Sequence, residues 1–211
     1  MNQGLMVLVA LVVGWFAVGS IWNVRKGNAA LRWLRGGLKQ VGERSTVRWL
    51  GTTAVEMKIA KARAPFEDAA VVLFLEPRDV PWIWGPSRLR GRRDTLILRA
   101  RLRKPPALDV ELLDLASWSG REVLPQLLSE AWSTREPAAP GELAAYFKVD
   151  GALPLGDALL SRARQGGMSV RRLSLRRREP HLQLHVDLPV PSTSAAEFFD
   201  AVRALGEAAR A

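Results

Sequence analysis

The chain has 211 residues, a formal net charge of +10 and no cysteine. The lack of cysteine excludes disulfides, thiolate zinc sites, iron–sulfur clusters, a cysteine nucleophile and a lipoprotein anchor. The excess of basic residues predicts attraction to polyanions, namely anionic lipid, nucleic acid or an acidic protein.

Residues 4–22 form an uncharged apolar run, GLMVLVALVVGWFAVGSIW. Nineteen helical residues rise about 28 Å, close to the roughly 30 Å of hydrocarbon in a bilayer. A cleaved signal peptide is the alternative interpretation. The residues before the run carry no Lys or Arg, however, and the run is longer than a usual signal-peptide core. The sequence therefore predicts a transmembrane anchor over residues 1–23.

The residues that follow this run predict its orientation. Several basic side chains come directly after it, and no acidic residue occurs before Glu43. Because cytoplasmic flanks carry an excess of Lys and Arg, we expect the N-terminus outside and the remaining chain in the cytoplasm of a bacterial-type cell. The topology and juxtamembrane residues are Trp22, Arg25, Lys26, Arg32, Trp33 and Arg35.

Residues 24–43 form a basic amphipathic connector. Leu31, Leu34, Leu38 and Val41 recur at spacings of three and four, which predicts one apolar stripe on a helix. Two interpretations remain open at this point. The stripe lies in the lipid headgroups, or it packs on the folded domain.

Strand patterns dominate the next hundred residues and predict an α+β fold with a mostly antiparallel sheet. Apolar and polar residues alternate at 47–49, 55–59, 96–102 and 108–112, and Ala70–Leu75 is a continuous apolar run. We expect the strands at 96–102 and 108–112 to form a hairpin. In that arrangement Asp109 and Glu111 neutralise the arginines of the first strand.

A Pro- and Ala-rich segment, residues 136–143, is the predicted linker between a β-rich subdomain, residues 44–135, and a second subdomain, residues 144–211. Ser119 and Glu122 have the spacing of a helix capping box, as do Ser194 and Glu197. The second subdomain reads as β-α-β-β-α. That order suggests a ferredoxin-like half whose final strand is absent or supplied from elsewhere.

The segment Val80–Asp94, VPWIWGPSRLRGRRD, is here named the Trp–Arg segment. Its prolines and glycines predict a short amphipathic turn or loop. Its tryptophans suit a membrane interface and its arginines suit lipid phosphates, so we expect a membrane- or partner-binding surface. Alternatively the tryptophans fill the domain core, or they stack on nucleic-acid bases. The residues concerned are Trp82, Trp84, Arg88, Arg90, Arg92 and Arg93.

A second basic patch is expected to meet an acidic partner, because only Asp187 is available to neutralise it on the partner strand. Val170 is out of phase with Leu173, which predicts a β-bulge between them. His181 and His185 are expected on the surface, too far apart to share a metal. The patch consists of Arg171, Arg172, Arg176, Arg177 and Arg178.

No GxSxG, HExxH, P-loop or GxGxxG pattern occurs in the sequence. We therefore expect a membrane-anchored, non-enzymatic binding or accessory protein without a cofactor or metal. Its expected partners are anionic headgroups and another membrane protein or acidic partner. Two alternatives remain: a membrane-tethered nucleic-acid binder, and a small enzyme with an unrecognised carboxylate or arginine site.

Overall fold

The computed structural model describes residues 2–139, 141–188 and 194–209. Its first element is a single unbroken helix, α1, which spans Gln3–Gly37 and is followed by a short 3-10 turn at Leu38–Gln40. The apolar run and the connector are therefore one helix. Leu31 and Leu34 are buried in the main core, so the stripe of the connector packs on the domain.

The remaining chain folds as α+β, as the sequence predicts. Nine strands form one sheet in the order β1-β2-β3-β4-β9-β8-β5-β7-β6, and every neighbouring pair is antiparallel. The strands are β1 Gly42–Trp49, β2 Ala54–Ala62, β3 Phe66–Phe74, β4 Thr95–Leu102, β5 Val110–Leu113, β6 Ser133–Arg135, β7 Ala144–Phe147, β8 Val170–Leu175 and β9 Leu182–Asp187. The described residues also contain four further helices, which are α2 Pro81–Leu89, α3 Trp118–Ser129, α4 Ala152–Gln165 and α5 Ala195–Ala208.

The strand order corrects one expectation. β4 pairs with β3 and β9, whereas β5 pairs with β7 and β8, so the predicted hairpin between β4 and β5 does not form. Strands from both sides of residues 136–143 thus alternate in one sheet. The β-α-β-β-α order of the C-terminal half is present, but β7 lies beside β5 and not beside β9, and the ferredoxin-like detail is not confirmed.

Two hydrophobic clusters hold the elements together. The main cluster joins α1, α4 and α5 to one face of the sheet, with Phe198 and Phe199 of α5 among its largest fully buried side chains. The smaller cluster lies under α3 and includes Leu113, Leu127 and Trp132. Residues such as Lys58 and Arg99 on the other strands of this second face remain exposed.

Two of the three predictions made from closely spaced residues are confirmed by the structure. The capping box of α5 is present, with Ser194 accepting from the Glu197 N–H at 3.1 Å. The box predicted at Ser119 is wrong, because Ser117 is the N-cap of α3 and accepts from the Gly120 N–H. The predicted bulge is confirmed as a register shift between Val170 and Arg172.

Candidate functional site

The connection from β3 to β4, residues 75–94, lies directly against α1. The Trp15 indole Nε1 donates to the Arg78 carbonyl oxygen at 2.9 Å. One turn further along α1, a Cβ atom at Gly19 would lie 2.4 Å from that same oxygen, so only glycine permits the approach. At Gly27 a Cβ atom would lie 2.5 Å from the Trp49 ring. The domain therefore contacts one face of α1 from Trp15 onward.

A polar network with a buried centre fixes this contact. It is named here the junction network and consists of Asn23, Lys26, Glu76, Arg78, Trp84, Arg88 and Asp94. Arg78 donates to both oxygens of Asp94 at 2.9 Å and to the Asn23 side-chain oxygen at 3.2 Å. Lys26 of α1 also pairs with Asp94.

The rest of the junction network centres on Glu76, which is 2% exposed. Its carboxylate accepts from the Trp84 indole N–H at 2.6 Å and from the Arg88 guanidinium at 2.8 Å. Its main-chain N–H donates to Asp94 at 2.8 Å and its carbonyl accepts from Asn23 at 3.1 Å. Buried carboxylates are thus matched by cations, which a buried charge requires.

Asp94 shows the electrostatic balance of this network. Burial acts to raise the pKa of its carboxyl, but hydrogen bonds from Arg78, Lys26 and the Glu76 N–H together outweigh burial. The pKa of Asp94 therefore lies below its ordinary value. The carboxylate is the common anchor for a cation on α1 and a cation on the domain.

The Trp–Arg segment contains the nine-residue helix α2, with Pro81 in its first turn and Pro86 inside it. The two tryptophans have different environments. Trp84 faces α1, where its ring centroid lies 6.4 Å from that of Trp15. Trp82 is 63% exposed and Ile83 is 47% exposed, so α2 keeps an uncovered apolar surface beside α1.

The arginines of the Trp–Arg segment also differ. Arg88 belongs to the junction network, Arg90 is exposed, and Arg92 lies 5.6 Å from the centre of the Trp118 ring. Arg93 is exposed and donates to the carbonyl oxygens of Arg88 and Arg92. Whether these side chains bind lipid or a partner stays a prediction.

The predicted topology residues fall into two groups. Trp22, Arg25, Arg32 and Arg35 are exposed on α1. The other two residues contact the domain: Lys26 pairs with Asp94, and the Trp33 ring lies 5.4 Å from Phe198.

The first half of α1 is largely uncovered, apart from the contacts of Trp15 and Gly19 with the domain. Residues 3–18 are all exposed, although most of them are apolar. Within the described residues, α1 is the one helix long and apolar enough to cross a membrane, with a mean hydropathy of 2.3 in its most apolar window. Such a surface is far larger than the isolated apolar side chains that soluble proteins expose.

The second basic patch is more neutralised than the sequence suggests. Arg172 and Arg176 donate to Glu111, a fully buried residue of β5, at 2.8–3.1 Å, and Ser174 donates to it at 2.5 Å. Arg171 donates at 2.7 Å to each of Asp187 and Asp114. The expectation that Asp187 alone is available was wrong, because β5 lies beside β8 and brings two further carboxylates.

Two members of this patch remain open to a partner. Arg177 and Arg178 are both exposed. The Arg177 main-chain N–H donates to the Asp109 carboxylate, and its Nε donates to the Ala107 carbonyl oxygen. Binding of an acidic partner by the patch stays a prediction. The charge free for such a partner is concentrated at the end of β8.

Both histidines are buried, which corrects the expectation of surface residues. Each is 5% exposed. His181 Nδ1 accepts from the Leu102 N–H at 3.0 Å, and His185 Nε2 lies 2.6 Å from the Gln183 amide nitrogen. Burial first, and then the positive charges of Arg172 and Arg99, lower the pKa of His185 to about 3. Its imidazole is therefore neutral at physiological pH.

Sequence reasoning missed the two junction-network residues that follow β3, Glu76 and Arg78, and their buried neighbour Asp79. Glu76, Arg78 and Asp79 are buried, although they directly follow the apolar run that forms β3. A charged cluster immediately after a buried strand was the available signal. Among the described residues no group of three or more His, Asp or Glu side chains is placed to hold a metal ion.

A scan against protein-family models found no match for this chain, and a search of curated proteins found none either.

Proposed function

We propose that the protein is a single-span protein of a bacterial-type cytoplasmic membrane, with its N-terminus outside and its folded domain in the cytoplasm. The domain acts without catalysis, as a binding or accessory subunit that rests against anionic lipid headgroups. Another membrane protein or an acidic partner binds the surfaces that remain free.

The observation that carries this proposal is the position of α2. Its exposed Trp82 and Ile83 lie on the element that packs against Trp15 through Trp84. Trp15 precedes Trp22 by seven residues, or about 10 Å along a helix axis. Interfacial helices bury their apolar face about 5–10 Å into the boundary between headgroups and acyl chains. If Trp22 lies at the membrane surface, α2 is at the depth such a helix occupies.

Charge supports the same arrangement. Arg25, Arg32 and Arg35 are exposed on the domain side of the apolar run. Each basic residue near an anionic leaflet contributes roughly 1 kcal/mol of attraction. Arg90 and Arg93 add further exposed positive charge next to α2. Nucleic acid is an alternative ligand for these arginines, but no specific feature of the site favours it.

The experiment uses the natural lack of cysteine, which makes every introduced cysteine unique. A nitroxide spin label is attached to the single cysteine of Trp82→Cys or of Val149→Cys. The two parent side chains have similar exposure, 63% and 53%. In full-length protein in nanodiscs containing anionic lipid, we expect the label at position 82 to be protected from a water-soluble relaxation agent and reached by oxygen. The label at position 149 should show the opposite preference.

The Val149→Cys variant also tests orientation. In intact cells an impermeant maleimide should not label it until the membrane is permeabilised. Equal aqueous exposure of labels at 82 and 149 would contradict the interfacial placement of α2. Labelling of position 149 from outside would contradict the cytoplasmic placement of the domain.

A further inference from the structure

The two edges of the sheet differ in length and in protection. β6 forms one edge with three residues, and its Arg135 pairs with Asp157 of α4 at 2.7 Å. β1 forms the other edge with eight residues, contains no proline, and pairs with β2 alone within the described residues. Native proteins keep edge strands short or place proline there, because free main-chain groups invite pairing with another chain. β1 is therefore the edge that is open to an added strand.

The main-chain groups of β1 alternate between β2 and the outside of the sheet. The Leu50 N–H donates to the Ala54 carbonyl oxygen at 2.9 Å, which fixes the phase of this antiparallel pair. Residues two, four and six positions before Leu50 face β2 in the same way. The N–H and C=O groups of Ser45, Val47 and Trp49 thus point away from β2, and no other described residue bonds to them. An added strand would continue the ladder through these groups.

The side chains on the core face of β1 are incompletely covered. Val47 and Trp49 pack against the main hydrophobic cluster but remain half-buried, because the cluster ends at this strand. Residues of an added strand that lie opposite them point to the same face of the sheet. Apolar side chains at those positions would extend the cluster and cover Val47 and Trp49.

The other face of β1 is basic. Arg44 and Arg48 are exposed on it, about 13 Å apart along the strand. Neither forms an ion pair with a described residue, and the carboxylate of Glu56, opposite Arg48, instead lies 3.8 Å from the Lys58 ammonium group. Two copies of β1 paired along most of their length would gather four arginines on one face, which is unfavourable. The charges therefore disfavour a second copy and favour an acidic strand.

We propose that β1 accepts an extended segment of another protein as an additional strand, in which apolar residues alternate with polar and acidic ones. Its main chain pairs with Ser45, Val47 and Trp49. Its apolar side chains cover the latter two, while carboxylates four positions apart pair with Arg44 and Arg48. Main-chain hydrogen bonds supply affinity in such strand addition, and alternate side chains supply specificity. The inference rests on the proposed function, since it specifies where the acidic partner binds and in what conformation.

The probe is a synthetic peptide, capped at both ends, in which valine alternates with polar residues and two glutamates stand four positions apart. It is added to the full-length protein in detergent micelles, and amide hydrogen exchange is followed by NMR. We expect exchange at the Ser45, Val47 and Trp49 amides to slow at least tenfold, because these N–H groups gain an acceptor. A peptide of the same composition with its two glutamates adjacent should bind more weakly, since it matches only one arginine.

Two variants separate main-chain pairing from charge. Ser45→Pro removes an outward N–H without removing a bond to β2, and proline is tolerated at such edge positions. It should weaken peptide binding at least tenfold, whereas Ser45→Ala should change it less than twofold. Arg44→Gln/Arg48→Gln should weaken binding about fivefold. The matched control Arg162→Gln/Arg164→Gln removes the same charge from exposed positions of α4 and should change binding less than twofold.

Unchanged exchange at the outward amides in the presence of the peptide would overturn the proposal, as would equal losses in the two arginine double variants. A parent protein that dimerises without peptide, and becomes monomeric with Ser45→Pro, would also overturn it and assign the edge to a second copy. Failure here is distinguishable from failure of the proposed function. The labels at positions 82 and 149 decide that function, and neither position lies on β1.

Discussion

Two buried arginine–carboxylate centres occupy different places in this molecule. The junction network joins α1 to the β3–β4 connection through Asp94, while Glu111 joins β5 to β8 through Arg172, Arg176 and Ser174. Glu111 is fully buried inside one sheet. Asp94 instead links the domain to a helix whose first half is largely uncovered.

Similar chemistry has different consequences in the Glu111 centre and in the junction network. Glu111 and its arginines are on adjacent strands, so the centre forms only when those strands pair. The junction network instead includes Asn23 and Lys26 of α1, which bond to the β3–β4 connection. Loss of the first centre should therefore reduce stability of the domain, and loss of the second should reduce rigidity of its attachment.

The largest effect is expected from Glu111→Ala. It leaves two arginines without their carboxylate in a buried setting, and breaking a buried ion pair by removing one partner costs about 3–5 kcal/mol. Urea unfolding of the protein in detergent should show this loss. Glu122→Ala, at an exposed position of α3, should change the free energy of unfolding by less than about 0.5 kcal/mol. Similar losses in both variants would mean that Glu111 has no special role.

A smaller effect, confined to the junction, is expected from Gly19→Val. The added side chain would collide with the Arg78 carbonyl, and overpacking of this kind costs about 1–3 kcal/mol. Gly14→Val is the control, because nothing lies within 4 Å of a Cβ atom at Gly14. The distribution of distances between spin labels at Ile21→Cys and Val149→Cys should broaden with Gly19→Val and stay unchanged with Gly14→Val. A broad distribution in the parent chain would show that the attachment is already loose.

The smallest effect per pH unit is expected on acidification, which should lower the stability of the sheet before it disturbs the junction network. The pKa of His185 falls from 6.5 in the unfolded chain to about 3 in the fold, so the unfolded state binds a proton first. Stability is complete above pH 6.5 and is lost as the pH falls toward 3, by at most about 1.4 kcal/mol per pH unit. The pKa of Asp94 is lowered from 3.8, so its contribution is kept until the pH falls below that value.

Between pH 6 and 4 the free energy of unfolding should therefore fall. Over the same range the distribution of distances between the labels at positions 21 and 149 should stay narrow. His185→Gln should remove most of this slope, since glutamine does not titrate. An unchanged slope in that variant would assign the acid sensitivity to other groups.

Local patterns predicted much of this fold. Alternation located most of the strands, the Ser194–Glu197 pair located the start of α5, and the phase break at Val170 located the bulge. Each of these signals acts over a few neighbouring residues, where backbone geometry and side-chain spacing are tightly linked.

Long-range pairing was not predictable in the same way. The position of β5 between β7 and β8 depends on contacts between residues about 60 positions apart, such as Glu111 and Arg172. The sequence offered an equally plausible nearby partner in β4. For the candidate site, the Trp–Arg segment was recognised, but the different environments of Trp82 and Trp84 depend on the docking of α1, which no local pattern encodes.

The unbroken course of α1 into the domain has a mechanical consequence. Because α1 is one continuous helix, rotation or tilt of its N-terminal half moves the sheet with it. The Trp49 ring packs against Gly27 and opposes bending there. In the proposed arrangement the domain has no freedom to search the space around its anchor. Each copy would present one fixed side to its neighbours at a constant height, so encounters would be governed by lateral diffusion and rotation about the bilayer normal.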